Sequence, residues 1–214
     1  MPIPSFDIDE ILIRIALLPF YRTYKLLEIV YTLKSEFKNH PSYKKTYVLA
    51  KIDKTNSIIL RPLSGTSPIL HEINSDPKEF NLTEKNVGFY VRFFGWAVHG
   101  KEGRFLIPQT IYELNLSSGS NLECFNKLQD QYLDLLDFEI KDFEDLEIKR
   151  ESNMLYRKGI LFYNNTVFKV YFKISANNGM VEMVKDTPIC ENLVYLDELY
   201  NSSQLFQLEI NKLG

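Results

Sequence analysis

Aromatic and basic side chains are concentrated between Gly88 and Pro108, in the stretch GFYVRFFGWAVHGKEGRFLIP. It holds six aromatic rings and two arginines. Such surfaces bind single-stranded nucleic acids because bases stack on the rings while arginine neutralises phosphates. Aromatic side chains are also the usual content of a buried core. We therefore name a candidate partner-binding surface that joins this stretch to a second basic segment: Arg92, Trp96, Lys101, Arg104, Lys44 and Lys45.

The period of this stretch predicts a β-strand over residues 87–98, a hairpin turn at His99 to Gly103 and a returning strand. In a strand, every second residue from Tyr90 to Trp96 would share one face, and we expect that face to be buried. The segment VGFYVRFF departs from the RNP1 motif of RNA-recognition domains at two positions. GKEG has the spelling of the KH-domain GXXG loop, but predicted strands flank it where a KH domain has helices.

A second chemical candidate is the acidic stretch of residues 134–149. It contains Glu139-x-Lys141 and Glu147-x-Lys149, the (D/E)xK pairing with which some nucleases hold a divalent metal ion. Such triplets are expected by chance at this density of Glu and Lys. The aspartates that precede them fall near the end of a predicted helix, where the nuclease motif needs a neighbouring strand. We predict no metal site and no cofactor, and keep a metal-dependent hydrolase as an alternative.

Histidine and cysteine supply no catalytic signature. The three histidines, His40, His71 and His99, lie near no recognisable nucleophile motif. Cys124 and Cys190 have no CxxC-type spacing, which favours a reducing compartment and leaves one disulfide between them open. The first ten residues are acidic, unlike the start of a signal peptide, and Arg14 and Pro19 interrupt the apolar run that follows. We expect a soluble, cytoplasmic protein without a membrane span.

Charge is distributed unevenly along the chain. Residues 20–61 carry nine Lys or Arg against three Asp or Glu, whereas residues 123–151 carry four against ten. Such asymmetry indicates either an oriented partner surface or two oppositely charged faces of one fold.

Hydrophobic periodicity predicts the elements that would position these residues. Residues 7–38 have helical spacing with a break at Pro19. Strands follow at residues 43–53, 57–63, 68–74, 87–98 and 104–116, then a helix at 120–138. Further strands are predicted at residues 143–151, 154–164, 166–175 and 180–189, with turns at NNT and NNG, before a last helix at 192–211.

The predicted fold is α+β, with an N-terminal helix, an antiparallel β-meander of about five strands, a helix, a four-stranded meander and a C-terminal helix. We place segment boundaries at residues 1–42, 43–138 and 139–214, within one compact body. Two successive meander-plus-helix units resemble the layout of Whirly and PUR-repeat proteins. That resemblance implies single-strand binding across a sheet.

The function predicted from these patterns is a non-catalytic binding or adaptor protein with a protein partner, since no catalytic constellation is present and charge is asymmetric. A single-stranded nucleic-acid-binding protein and a metal-dependent hydrolase are the alternatives.

Overall fold

The structure is a computed structural model that describes residues 8–33, 42–52, 57–108, 151–193 and 209–212. Across these residues the fold is α+β, with antiparallel sheets and two helices. The chain divides into two compact units. The first comprises residues 1–64 and 202–214, and the second comprises residues 65–201.

The first unit is built on a five-stranded antiparallel sheet with the order β10-β1-β2-β3-β4. Its strands are β1 (Ile8–Leu17), β2 (Lys25–Leu33), β3 (Ser42–Ile52), β4 (Ile58–Pro62) and β10 (Glu209–Lys212). The buried row across its middle consists of Ala16, Leu26 and Leu49, which are cross-strand partners. Side chains directly opposite one another in a sheet lie on the same face, so this row marks the covered side.

The predicted N-terminal helix is wrong, because residues 8–33 form β1 and β2. Pro19 does not kink a helix; it lies in a turn in which the backbone N–H of Tyr21 donates to the carbonyl of Leu18 at 2.9 Å. A fixed proline φ favours the second position of such a turn. Four isoleucines in β1 also favour an extended chain, because branching at Cβ restricts helical rotamers.

The second unit contains two helices, a short hairpin and a three-stranded antiparallel sheet. These elements are α1 (Pro68–Asn74), α2 (Val87–Ala97), β5 (His99–Gly100), β6 (Gly103–Arg104), β7 (Met154–Tyr163), β8 (Thr166–Ser175) and β9 (Val181–Cys190). The sheet order is β7-β8-β9, and an isolated bridge joins Leu106 to Phe162 of β7.

The three strands of this sheet and both of their turns are confirmed predictions. Asn164 and Asn165 have φ of 48° and 57°, the left-handed conformation that a two-residue hairpin turn requires and that asparagine tolerates. Gly179 has φ of 64° in the second turn. The strands are recognisable in sequence because β8 alternates between apolar and more polar residues and because each turn carries residues suited to positive φ.

The strands predicted at residues 68–74 and 87–98 are wrong, because both segments are helical. Pro68 follows Ser67 at the start of α1, and proline at the first helical position is a helix-start signal that the period of two concealed. α2 is buried around most of its circumference, so it lacks the apolar stripe of an exposed helix. Its aromatic and β-branched content then favours a strand on propensity alone.

The predicted hairpin survives only at its tip. β5 and β6 pair His99 with Arg104 and Gly100 with Gly103, so the turn falls inside the predicted loop, but a helix leads into it. The predicted C-terminal helix is wrong at its end, where Glu209–Lys212 pairs with β1. The remainder of that helix, and the predictions over residues 109–150, lie outside the described residues.

Cys190 is disulfide-bonded. The sequence has one other cysteine, Cys124, which lies outside the described residues. Along the part of the chain that the structure describes, neither helix has the length and apolarity needed to cross a membrane.

Candidate functional site

Three of the predicted surface residues occupy the β5–β6 hairpin and the end of α2. The guanidinium carbon of Arg104 lies 5.1 Å from the ring centroid of Trp96, and the Nε of Arg104 donates to His99 Nε2 at 3.0 Å. Partial burial, followed by the charge of Arg104, lowers the pKa of His99, so the imidazole is neutral and can accept this bond. Trp96 itself is only 2% exposed, whereas Lys101 is exposed at the turn.

Of the four residues expected to be buried, Tyr90, Arg92 and Trp96 are buried, whereas Phe94 is only half-buried. They do not all share a face, however. Tyr90 diverges from Arg92 because residues two apart point to different sides of a helix, whereas Arg92 and Trp96 are four apart and lie on the same side. Tyr90 lies in a buried network in which Asn74 Nδ2 donates to its hydroxyl at 2.8 Å and the hydroxyl donates to the Gly179 carbonyl at 2.7 Å. Burial strongly raises the pKa of Tyr90. Arg92 is directed elsewhere, and its Nε donates to the carbonyl of Ile107 at 3.0 Å.

The remaining two predicted residues, Lys44 and Lys45, lie in β3 of the first unit. Lys45 is 3.7 Å from Glu28, a carboxylate with no exposed surface. Arg14 forms a hydrogen-bonded ion pair with the same carboxylate at 3.2 Å, and the hydroxyl of Tyr47 donates to it at 3.2 Å. Arg14, Glu28 and Tyr47 are successive partners across β1, β2 and β3. Here the basic side chains compensate a buried acid of the same unit.

The second unit contains a cavity of about 530 Å³ between the beginning of α2, residues 107–108 and β7. Small-molecule sites occupy cavities of roughly 300–1,000 Å³, so this volume is adequate for a ligand. Among the residues that the structure describes, four cationic side chains and one carboxylate line it: Lys85, Arg92, Arg157, Lys158 and Glu84. Their formal charges leave a net of three positive charges.

Two of the cations lie where solvent is scarce. Arg92 is 6% exposed and Lys158 is 8% exposed. A low-dielectric wall strengthens the attraction between such groups and an anion, because fewer waters screen the charge. The positive end of the α2 dipole adds to the same field, since α2 begins beside Lys85. The cavity therefore favours negatively charged contents.

Two glycines give the cavity its shape. The guanidinium of Arg157 lies close to Gly88 at the start of α2, where an added Cβ would lie 3.4 Å from its Nε. On β7, an added Cβ at Gly159 would meet no heavy atom within 4 Å, so this position borders open space. Neither Arg157 nor Lys85 forms an ion pair with any residue that the structure describes.

Of the four cations that line the cavity, sequence reasoning named only Arg92, although the stretch of residues 88–108 that it singled out supplies part of the lining. A signal is present in YRKGI, residues 156–160, where two adjacent cations and a glycine interrupt a strand that is otherwise apolar. Glycine inside a strand often marks the close approach of a ligand or another backbone. Lys85 lies in a polar connection and carries no sequence signal of its own. Only the tertiary packing of α2 against β7 places it near the other cations.

A smaller apolar cavity of about 160 Å³ adjoins the first. Val91, Ile107 and Phe172 line both cavities. The smaller one is completed by apolar side chains and one glycine: Phe94, Gly95, Phe105, Leu161, Val181 and Met183.

Metal ligands are not grouped in this part of the molecule. Among the described residues, no cluster of three or more His, Cys, Asp or Glu side chains could hold a metal ion. The acidic stretch at residues 134–149 lies outside them, so the hydrolase alternative stays a prediction.

Comparison with known proteins returns no relative. No family model matches the sequence, and it has no significant match among curated proteins or solved structures.

Proposed function

We propose that this protein is a non-catalytic binding protein that holds an anionic group of its ligand in the basic cavity of the second unit. The observation that carries the proposal is the convergence of Lys85, Arg92, Arg157 and Lys158 on one volume, where the described residues include one carboxylate, Glu84. Arginine presents a fork of donors that matches the oxygens of a carboxylate or phosphate, and lysine adds a mobile charge.

The geometry supports recognition of one compact anion more than a long polyanion. The cations surround a cavity, whereas a strand of nucleic acid needs an extended groove with exposed rings. Trp96 and Phe93 are buried and offer no stacking surface. The adaptor role predicted from sequence is retained in a narrower form, in which the partner presents a negatively charged group.

The test is calorimetric titration of the purified chain with inorganic phosphate and with acetate at low salt. We expect saturable binding that weakens as salt is added, because both anions compete with the salt for the same cations. Arg157→Gln should weaken binding about ten- to a hundredfold, the usual effect of losing a charged hydrogen bond. Lys185→Gln is the matched control, since Lys185 is an exposed cation of β9 that does not line the cavity.

Equal affinities of the wild-type chain and Arg157→Gln for every anion would overturn the proposal. Binding of a single-stranded oligonucleotide that is stronger than phosphate binding and insensitive to Arg157 would instead favour the nucleic-acid alternative.

A further inference from the structure

The two cavities of the second unit differ in chemistry but share a wall. The larger is lined by four cations, whereas the described residues that line the smaller are all uncharged. Val91 of α2, Ile107 and Phe172 of β8 belong to both linings. A ligand that occupies the larger cavity therefore meets apolar side chains on the side where the smaller one lies.

The smaller cavity has features of a binding volume for an apolar group. Its volume of about 160 Å³ corresponds to about five water molecules at roughly 30 Å³ each. Water in that space would find few polar partners, so its replacement by a hydrocarbon is favourable. Met183, which is 44% exposed, contributes a flexible thioether that can adapt to the shape of an inserted group.

From this juxtaposition we infer that the ligand is an amphipathic anion, with a carboxylate or phosphate head in the basic cavity and a short apolar tail in the adjoining apolar cavity. This inference rests on the proposed function. The head is attracted to Arg157 and its cationic neighbours, and the tail packs against Phe94, Phe105 and Leu161. The size of the apolar cavity limits the tail to a few carbon atoms or one ring.

Calorimetric titration with straight-chain carboxylates from acetate to dodecanoate tests the tail. We expect affinity to rise about three- to fourfold for each added methylene until the apolar cavity is full, and then to level off. Octanol, which has the tail without the charge, should bind at least tenfold more weakly than octanoate. Hexyl phosphate and hexanoate compare the two head groups on one tail.

Variants separate the two halves of the ligand. Val181→Phe fills part of the apolar cavity at a strand position that accepts aromatic residues, so it should weaken octanoate binding at least tenfold and leave acetate unchanged. Arg157→Gln should weaken every carboxylate by the same factor. Circular dichroism and the unfolding midpoint show whether Val181→Phe is folded, and Met183→Phe is a second filling variant if it is not.

The outcomes distinguish this inference from the proposed function. If acetate and octanoate bind equally and both depend on Arg157, the tail site is wrong and the anion site stands. If no carboxylate or phosphate binds, the proposed function itself is overturned. Binding only to vesicles that contain anionic lipid, without binding of monomeric octanoate, would also overturn the inference, because it assigns the site to a free molecule.

Discussion

The two compact units use basic side chains in contrasting ways. In the first unit Arg14 and Lys45 surround the buried carboxylate of Glu28, with a hydroxyl from Tyr47 completing the site. In the second, four cations and one carboxylate, Glu84, are the charged groups among the described residues that line a cavity. The first arrangement is an internal ion cluster around a protein carboxylate, whereas the second borders a volume large enough for a ligand. We therefore expect the first cluster to contribute mainly to stability and the second mainly to binding.

The largest difference between the two clusters should appear in the free energy of unfolding when each cluster loses its carboxylate, Glu28 or Glu84. Glu28→Ala removes a fully buried carboxylate and deprives Arg14 of its ion pair with it, so we expect a loss of about 3–5 kcal/mol in the free energy of unfolding. Glu84→Ala, at an exposed position, should change it by less than about 0.5 kcal/mol. Urea denaturation followed by circular dichroism measures both. Similar losses of unfolding free energy for the two variants would contradict this difference between the two clusters.

Removing one arginine from each cluster should separate stability from binding. Arg14→Met deletes the hydrogen-bonded ion pair with Glu28, and we expect a loss of about 1.5–3 kcal/mol in unfolding free energy. Arg157→Met removes one of several like charges, so stability should stay within about 0.5 kcal/mol of wild type. The same urea titrations test this. A large stability loss for Arg157→Met would show that its charge is structural.

A third basic group, Arg104, contacts two neutral side chains, His99 and Trp96. Its contact with His99 should have the smallest effect on folding stability of the three. Its Nε donates to His99, whose pKa is lowered by partial burial and by the charge of Arg104. Because the unfolded state then takes up the proton first, folding stability should fall as pH decreases below the ordinary histidine pKa of about 6.5. Unfolding midpoints between pH 7.5 and 5 measure this, and His99→Gln should flatten the profile. An unchanged slope in His99→Gln would assign it to other groups.

Sequence patterns predicted the strands and turns correctly where the local preferences of the residues agree with their tertiary environment. β8 alternates in polarity, and Asn164, Asn165 and Gly179 suit the turns at its two ends. Pattern failed where an element is buried on most sides. α2 has no polar stripe, and its aromatic residues made it look like a central strand. In β1 and β2, polar residues recur at helical intervals by coincidence, although both segments are strands. The turn at Pro19 lies between these two strands.

The candidate site was foreseen less completely than the fold. Arg92 is common to the predicted surface and the cavity, but Lys101 and Arg104 belong to the hairpin, and Lys44 and Lys45 to the first unit. The predicted surface was assembled from residues near in sequence or alike in charge. Binding of a partner by this predicted surface stays a prediction. Trp96 and Arg92 are buried, so little of either side chain is accessible to a partner.

By itself, the sequence determined the α+β composition, the C-terminal meander with its asparagine and glycine turns, and the burial of Tyr90, Arg92 and Trp96. These follow from side-chain polarity and backbone preferences that act over a few residues. The helical conformation of α2, and the position of its first turn beside β7, depend on tertiary packing. That packing joins Lys85 to Arg157 across 72 positions of the chain, because residues distant in sequence share a cavity only when two elements pack together.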